Sequence, residues 1–311
     1  MRLFHTIALG GLASIAAMSS ARAGTLSAST ILADFNAVIY TNASTQADIE
    51  GAAAVGGNFS GATMYNNPTS GVPSGFGALT VYGNTSGNAI NINNSGNAYV
   101  GGTRGAGISF NGGTYIGAPG YSIADFETPL NALSQSLSQL NATSTLPAAG
   151  NNEAITATPG TNGIAVFNIT AAQLAAIPSY SINLNGAKTV IFNVSGGSAS
   201  FSANDESGTT GADNIIWNFY NATSVNFSTL IAGTVLAPGA TVTNNNQIDG
   251  ALVADAWTGN GELHDYAFTG PLPGTTTSLS VPAIPEPPAI GLLGVATVGL
   301  GLLTRRRRRG V

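Results

Sequence analysis

The chain of 311 residues has no cysteine. That excludes disulfide staples, thiolate metal sites and a cysteine nucleophile, so stability must come from packing and backbone hydrogen bonding. Charge is scarce as well: Asp, Glu, Lys and Arg together make up 7% of the residues. Five of the nine basic residues sit in one terminal block, Arg305, Arg306, Arg307, Arg308 and Arg309. Between residues 24 and 283 only Arg104 and Lys188 are basic, against thirteen acidic residues, a formal charge of −11. A body of that sign repels nucleic acid and anionic lipid, which removes both as partners. Histidine is limited to His5 and His264. No pair of histidines at metal-ligand spacing exists.

What the chain does have is an address at each end. Met1-Arg2 opens a basic segment, residues 7–18 are apolar, and Ala21-Arg22-Ala23 is a small-x-small cleavage site. That order predicts a secretory signal peptide over residues 1–23. At the other end Pro285, Glu286 and Pro287 precede an apolar run to Leu303 and then the arginine block. A spanning helix needs about 20 apolar residues. The run is slightly short, and snorkelling arginines extend it. The arginines act as a membrane stop, held on the cytoplasmic side by the positive-inside rule. Motif, spacing and position resemble the PEP-CTERM sorting signal of Gram-negative bacteria. The resemblance implies processing by an exosortase-type membrane protease. The expected layout is a signal peptide at 1–23, a body at 24–270, a Pro/Gly/Thr linker at 271–283 and a sorting segment with a transmembrane helix at 284–311.

The body is rich in Gly, Asn, Ser, Thr and Ala. Its apolar content is too high for disorder. Short segments such as Leu79-Thr80-Val81-Tyr82 and Thr189-Val190-Ile191-Phe192 end at Gly or Asn, and most such segments alternate apolar with small or polar residues. That is the period-2 pattern of half-buried strands. Segments at Tyr220, Pro238 and Asp255 recur at 17–18-residue intervals, each beside a strand pair. A period that short suits one coil of a β-solenoid, whose neighbours must stack to share a core. Phe126, Leu130, Leu133, Leu137 and Leu140 fall on one face of a helix over residues 125–140, started by Asp125 or Thr128. Thr170 and Gln173 have capping-box spacing for a shorter helix that Pro178 ends. The expected fold is mainly β: a β-solenoid with one long flanking α-helix, an N-terminal signal helix and a C-terminal transmembrane helix.

Two stretches of the body carry a second resemblance. Asp34-Phe35-Asn36-Ala37-Val38 with Asp48-Ile49-Glu50-Gly51 and Val55-Gly56-Gly57-Asn58 resembles the opening of the choice-of-anchor A family. Gly233-Thr234-Val235-Leu236-Ala237-Pro238-Gly239-Ala240, Ile248-Asp249-Gly250 and residues 259–266 resemble its closing motif. The resemblance spans roughly residues 32–268. It implies an adhesive domain whose solenoid is related in architecture to bacterial ice-binding proteins, with a long helix beside it. It brings no catalytic residues.

The chemical candidates are few. Glu262, His264 and Asp265 form the one cluster containing a histidine in the exported body. A triad or metal site would need a partner at ligand spacing, and none is present. The cluster reads instead as the polar closure of the last coil. Asp205, Glu206 and Asp213 lie in a Gly/Ser/Thr loop, where Ca2+ is the one ion the oxygen-rich composition suits. They lack ordered ligand spacing and read as a solvated loop, so no cofactor is expected. Ile49-Glu50-Gly51-Ala52 echoes Ile248-Asp249-Gly250-Ala251, which reads as a repeated glycine turn rather than a paired acidic site. Thr241-Val242-Thr243 with residues 244–246 is the nearest approach to an ice-binding stripe, a single Thr-x-Thr rather than a ladder. The expected function is a non-enzymatic, exported structural or adhesive protein of the cell surface or exopolysaccharide matrix. Its expected partners are the sorting protease, extracellular polysaccharide or neighbouring surfaces, and the membrane through the C-terminal segment before processing. An ice- or carbohydrate-binding module is the alternative, and a hydrolase using Glu262 or His264 is a remote one.

Overall fold

A computed structural model describes residues 25–61, 63–66, 72 and 75–274. The signal peptide, most of the linker, Pro285, Glu286, Pro287, the apolar run and the five arginines lie outside the described residues. Among the described residues no helix is long and apolar enough to cross a membrane.

The described chain is mainly β, with every strand pairing parallel. Nine strands run side by side on a first face. Their spatial order is Ile164–Thr170, Thr189–Ser195, Ile215–Asn218, Thr234–Asn244, Leu252–Gly259, Ala37–Ile39, Ala53–Val55, Leu79–Val81 and Ala98–Val100. The first strand of the chain thus pairs with one of the last, Ala37 opposite Leu252. The N-terminal strands continue outward on one side of that seam, and the C-terminal strands approach it from the other. Thr234–Asn244 shifts register between Ala237 and Thr241, where Pro238 and Gly239 fall, and so serves two faces.

Parallel in-register pairing puts like side chains on top of each other at about 4.8 Å per strand. The inward column exploits that spacing. Phe167, Phe192 and Trp217 are register partners, with ring centroids 4.7 and 4.1 Å apart and planes within 12°. The Trp217 indole N–H donates to Ala232 O at 2.9 Å, so the buried ring has its partner. Towards the seam the column narrows to Val235, Leu252, Ala37, Ala53 and Leu79, all buried.

A second apolar layer lies outside the first face. Val38, Ala54, Val166, Ile191, Ile216 and Val253 pack under Ile31 and Leu32 of helix α1 (Ala28–Asp34) and Phe126, Leu130, Leu133 and Leu137 of helix α2 (Ala124–Ser138). The apolar stripe of α2 is the one its spacing predicts, although Leu140 falls beyond the helix. Neither Asp125 nor Thr128 is the cap residue. Ile123 occupies that position without a side-chain bond, and the Asp125 carboxylate accepts instead from the Ser122 N–H and hydroxyl, each at 2.8 Å. The helix is also pinned by an amide ladder, buried at Asn193 and Asn218 and exposed at Asn168. Asn168, Asn193 and Asn218 are register partners. Asn218 Nδ2 donates to Asn193 Oδ1 and Asn193 Nδ2 to Asn168 Oδ1, both at 2.9 Å. The same two amides donate up to Ser134 O and Leu137 O on α2. The short helix α3 (Ala171–Ala175) starts with the expected capping box between Thr170 and Gln173.

Candidate functional site: the His264 seam and the outer polar face

Leu263–His264 lies on a third face, and its position corrects the sequence reading. Leu263 points inward between Ile248 on one side and Ile49 on the other. The segment is therefore an interior rung at the seam between the two halves of the chain, and it closes no open end. Sequence order misled here because the last strands of the body are not the last in space. Asp249 is the register partner of His264. Glu50 N donates to Leu263 O, and Glu50 Oε2 accepts from Asp265 N at 2.9 Å. The two echoing Ile-acid-Gly-Ala segments thus lie on either side of His264. Their glycines are required by crowding. A Cβ on Gly51 would sit 2.7 Å from Asn36 Cβ, and one on Gly250, at φ +157, would sit 2.5 Å from Gly233 O. Asn36 stitches the seam: its Nδ2 donates to Gly250 O and His264 O at 3.0 Å, and its Oδ1 accepts from Gly51 N.

The imidazole of His264 is held at both nitrogens. Nδ1 lies 2.6 Å from Asp249 Oδ1 and Nε2 lies 3.0 Å from Glu262 Oε2. Burial works against protonation of this ring. The hydrogen bonds to Glu262 and Asp249, with the charges of Asp249 and Glu50, outweigh it and raise the histidine pKa. Burial also raises the Asp249 pKa, opposed by His264. The ring is thus clamped between two carboxylates, the buried Asp249 and the exposed Glu262. Asp265, the third residue of the predicted cluster, turns to the Gly51 side of the seam.

The acidic loop residues diverge. Asp205 accepts from the Tyr180 hydroxyl at 3.0 Å, and Asp213 accepts from the Thr269 hydroxyl at 3.2 Å. Among the described residues no three His, Asp or Glu side chains are grouped to hold a metal ion.

The most regular feature of the outer surface is a column the sequence reading missed. Ser200, Asn226, Thr243, Thr258, Ser44, Ser60 and Ser86 are successive register partners on the second face. Their neighbours Phe201, Val225, Val242, Trp257, Ala43 and Phe59 point inward and are buried. A shorter parallel column holds Ser198, Ser224, Thr241 and Ala256. At rung spacing the seven-residue column runs about 29 Å. It carries no charge and no aromatic ring. Thr243 thus belongs to a ladder, mixed in Ser, Thr and Asn. Asn244 does not: it is buried, accepting from Trp257 Nε1 at 2.8 Å and donating to Gly261 O. Beside the column a corner ladder orders the backbone. Asn42 Oδ1 accepts from Asn58 N, Asn58 Oδ1 from Asn84 N, and Asn84 Oδ1 from Thr103 N. A shallow depression of about 260 Å3 lies among Asn42, Ser44, Asn58, Ser60, Ala256 and Thr258.

Comparison with known proteins gives one family match. A model described as "Putative Ice-binding-like adhesive domain" matches residues 28–265. No curated protein matches. Similar solved structures include an ice-binding protein from the Antarctic ascomycete Antarctomyces psychrotrophicus, at 16% identity and a TM-score of 0.34, covering 75% of this chain and 95% of that one. An ice-binding protein from an Antarctic Flavobacteriaceae bacterium gives 15% identity and a TM-score of 0.34, covering 71% and 62%. One from an Antarctic biological consortium gives 13% and 0.32, covering 81% and 94%.

Proposed function

Because the chain belongs to the ice-binding-like adhesive domain family over residues 28–265, we propose that it is a surface-associated adhesive protein and not an enzyme. The parallel strands are read as the coils of a β-solenoid. The choice-of-anchor A and PEP-CTERM resemblances complete the reading: export, sorting by an exosortase-type protease, and display on a Gram-negative cell surface or in its polysaccharide matrix. The observation that carries the adhesive role is the column from Ser200 to Ser86. It is uncharged and repeats at one strand spacing, which suits contact with an extended, ordered surface rather than capture of a small molecule. The clamped His264 supports a non-catalytic reading.

Ice is the second reading, favoured by Thr241, Thr243 and Thr258 on that face. Both are tested with Thr258→Tyr and Ser44→Tyr, which roughen the column at exposed positions. The full chain and each variant are measured for retention on ice, on insoluble polysaccharide and on abiotic surfaces, and for melting temperature. The expected result is retention on at least one surface by the parent and loss of it in both variants at unchanged melting temperature. Ice retention alone selects the second reading. Retention that survives both substitutions overturns the assignment of this face.

A further inference from the structure

We propose that the chain carries a separate binding groove for a neutral oligosaccharide, beside the C-terminal end of α2. Two depressions, of about 200 and about 380 Å3, share Asn168 and Ile169 as common wall. The first is bounded by Ser138, Thr170, Ser195 and Tyr220. The second runs on to Gln173 and Ala148. Together they fall in the size range of clefts that take small ligands, about 300–1,000 Å3.

Three features define the ligand. No charged side chain lines either depression, so an ionic ligand would be desolvated without a counter-charge. Three of the four hydroxyls that line the first depression have their protons committed inside the protein. Ser138 donates to Gln135 O at 2.7 Å, Thr170 to Gln173 Oε1 at 3.1 Å and Ser195 to Ile169 O at 3.1 Å. What these three turn to a ligand is lone pairs, and Asn168 Nδ2 gives one of its two hydrogens to Leu140 O. The matching ligand is uncharged and rich in O–H donors. Lastly, Tyr220 is one of two large hydrophobic side chains exposed among the described residues, at 38%. At the groove wall its ring offers an apolar platform with a polar tip, matching the C–H face of a pyranose flanked by hydroxyls. A saccharide meets all three demands. The groove lies off the Ser200–Ser86 column, and its assignment does not depend on that face.

The test uses the full chain in a sugar-free zwitterionic detergent, titrated calorimetrically with cellohexaose, isomaltohexaose and chitohexaose, and with hexagalacturonate as the acidic probe. Tyr220→Ala removes the platform, and Ala148→Trp fills the second depression; both positions are exposed. At least one neutral hexamer is expected to bind saturably, and each variant to weaken it about tenfold, about 1.4 kcal/mol, with melting temperature unchanged. Thr258→Tyr should leave it untouched. The proposal is overturned if no neutral hexamer binds, if only hexagalacturonate binds, or if either groove variant binds as the parent does.

Discussion

His264 Nδ1 and Asp249 Oδ1 are 2.6 Å apart, yet the second oxygen of that carboxylate, Oδ2, is buried without a hydrogen-bond partner. The imidazole is therefore the one side chain that compensates a carboxylate sealed in the seam. A buried charge with one good partner depends strongly on that partner's state.

The first prediction is a stability that declines with rising pH. His264 has a folded pKa above its ordinary 6.5, and Asp249 one above its ordinary 3.8. For a raised group the stabilising contribution is complete below the unfolded value and disappears as pH climbs through the folded value. The histidine part is thus lost from pH 6.5 upward. Melting temperature should be higher at about pH 5.5 than at about pH 8.5, and His264→Gln should flatten that difference. An identical slope in the variant would remove His264 as its source.

The amide ladder beneath α2 makes a second prediction. Asn193→Leu keeps the branched shape, adds bulk and removes the Oδ1 acceptor of one Asn218 Nδ2 hydrogen, while Leu137 O keeps its backbone donors at Gln139 and Leu140. That orphaned buried donor costs about 1–3 kcal/mol. Gln135→Ala, on the exposed side of the same helix, should change stability by about 0.5 kcal/mol or less. Denaturant melts of the two variants should separate clearly. Equal midpoints would mean the ladder does not hold the helix.

Glycines give a third, by contrast between two sites. A Cβ on Gly261 would collide with the backbone of Asn246, so Gly261→Ala must move a rung and should cost about 1–3 kcal/mol. Gly186, at φ +78, has open space around it, and Gly186→Ala should cost only the left-handed backbone penalty, about 1–2 kcal/mol. Proteolytic susceptibility of the native state should rise more for Gly261→Ala. The reverse order would contradict the close packing of that corner.

Sorting is tested at Pro285, Glu286 and Pro287. Alanines at all three should leave an uncleaved, membrane-associated precursor in the native host. Mature mass and surface display unchanged by the substitution would dismiss the motif as a signal.

Local features were legible in the sequence because their signals are local. The α2 stripe at Phe126, Leu130, Leu133 and Leu137 follows from helical spacing, and the Thr170–Gln173 box from two residues three apart. The mainly β character followed from short segments bounded by Gly or Asn, and the parallel pairing of the strands was added by the structure. The seam and the polar column were not legible. Asn36 meets Gly250 across 214 residues, and no period announces that the first strand joins one of the last. Ser44, Thr258 and Thr243 form one line only after three separate strands are set in register. Each alone is an ordinary small residue between buried neighbours. His264 was noticed for its chemistry and misplaced for the same reason, since it stands near the end of the body in sequence and inside it in space.

That arrangement bears on how the domain is made. Ala37–Ile39 leaves the ribosome early, and Leu252–Gly259, the strand it must pair with, leaves near the end. Until then the early strands have no neighbour on that side, and Asn36 has neither of its carbonyl acceptors. Contacts so distant in sequence make folding slow. For a chain proposed to cross a membrane before it folds, slowness is an asset: a nascent body that cannot close until its final rung arrives stays threadable for the length of its passage.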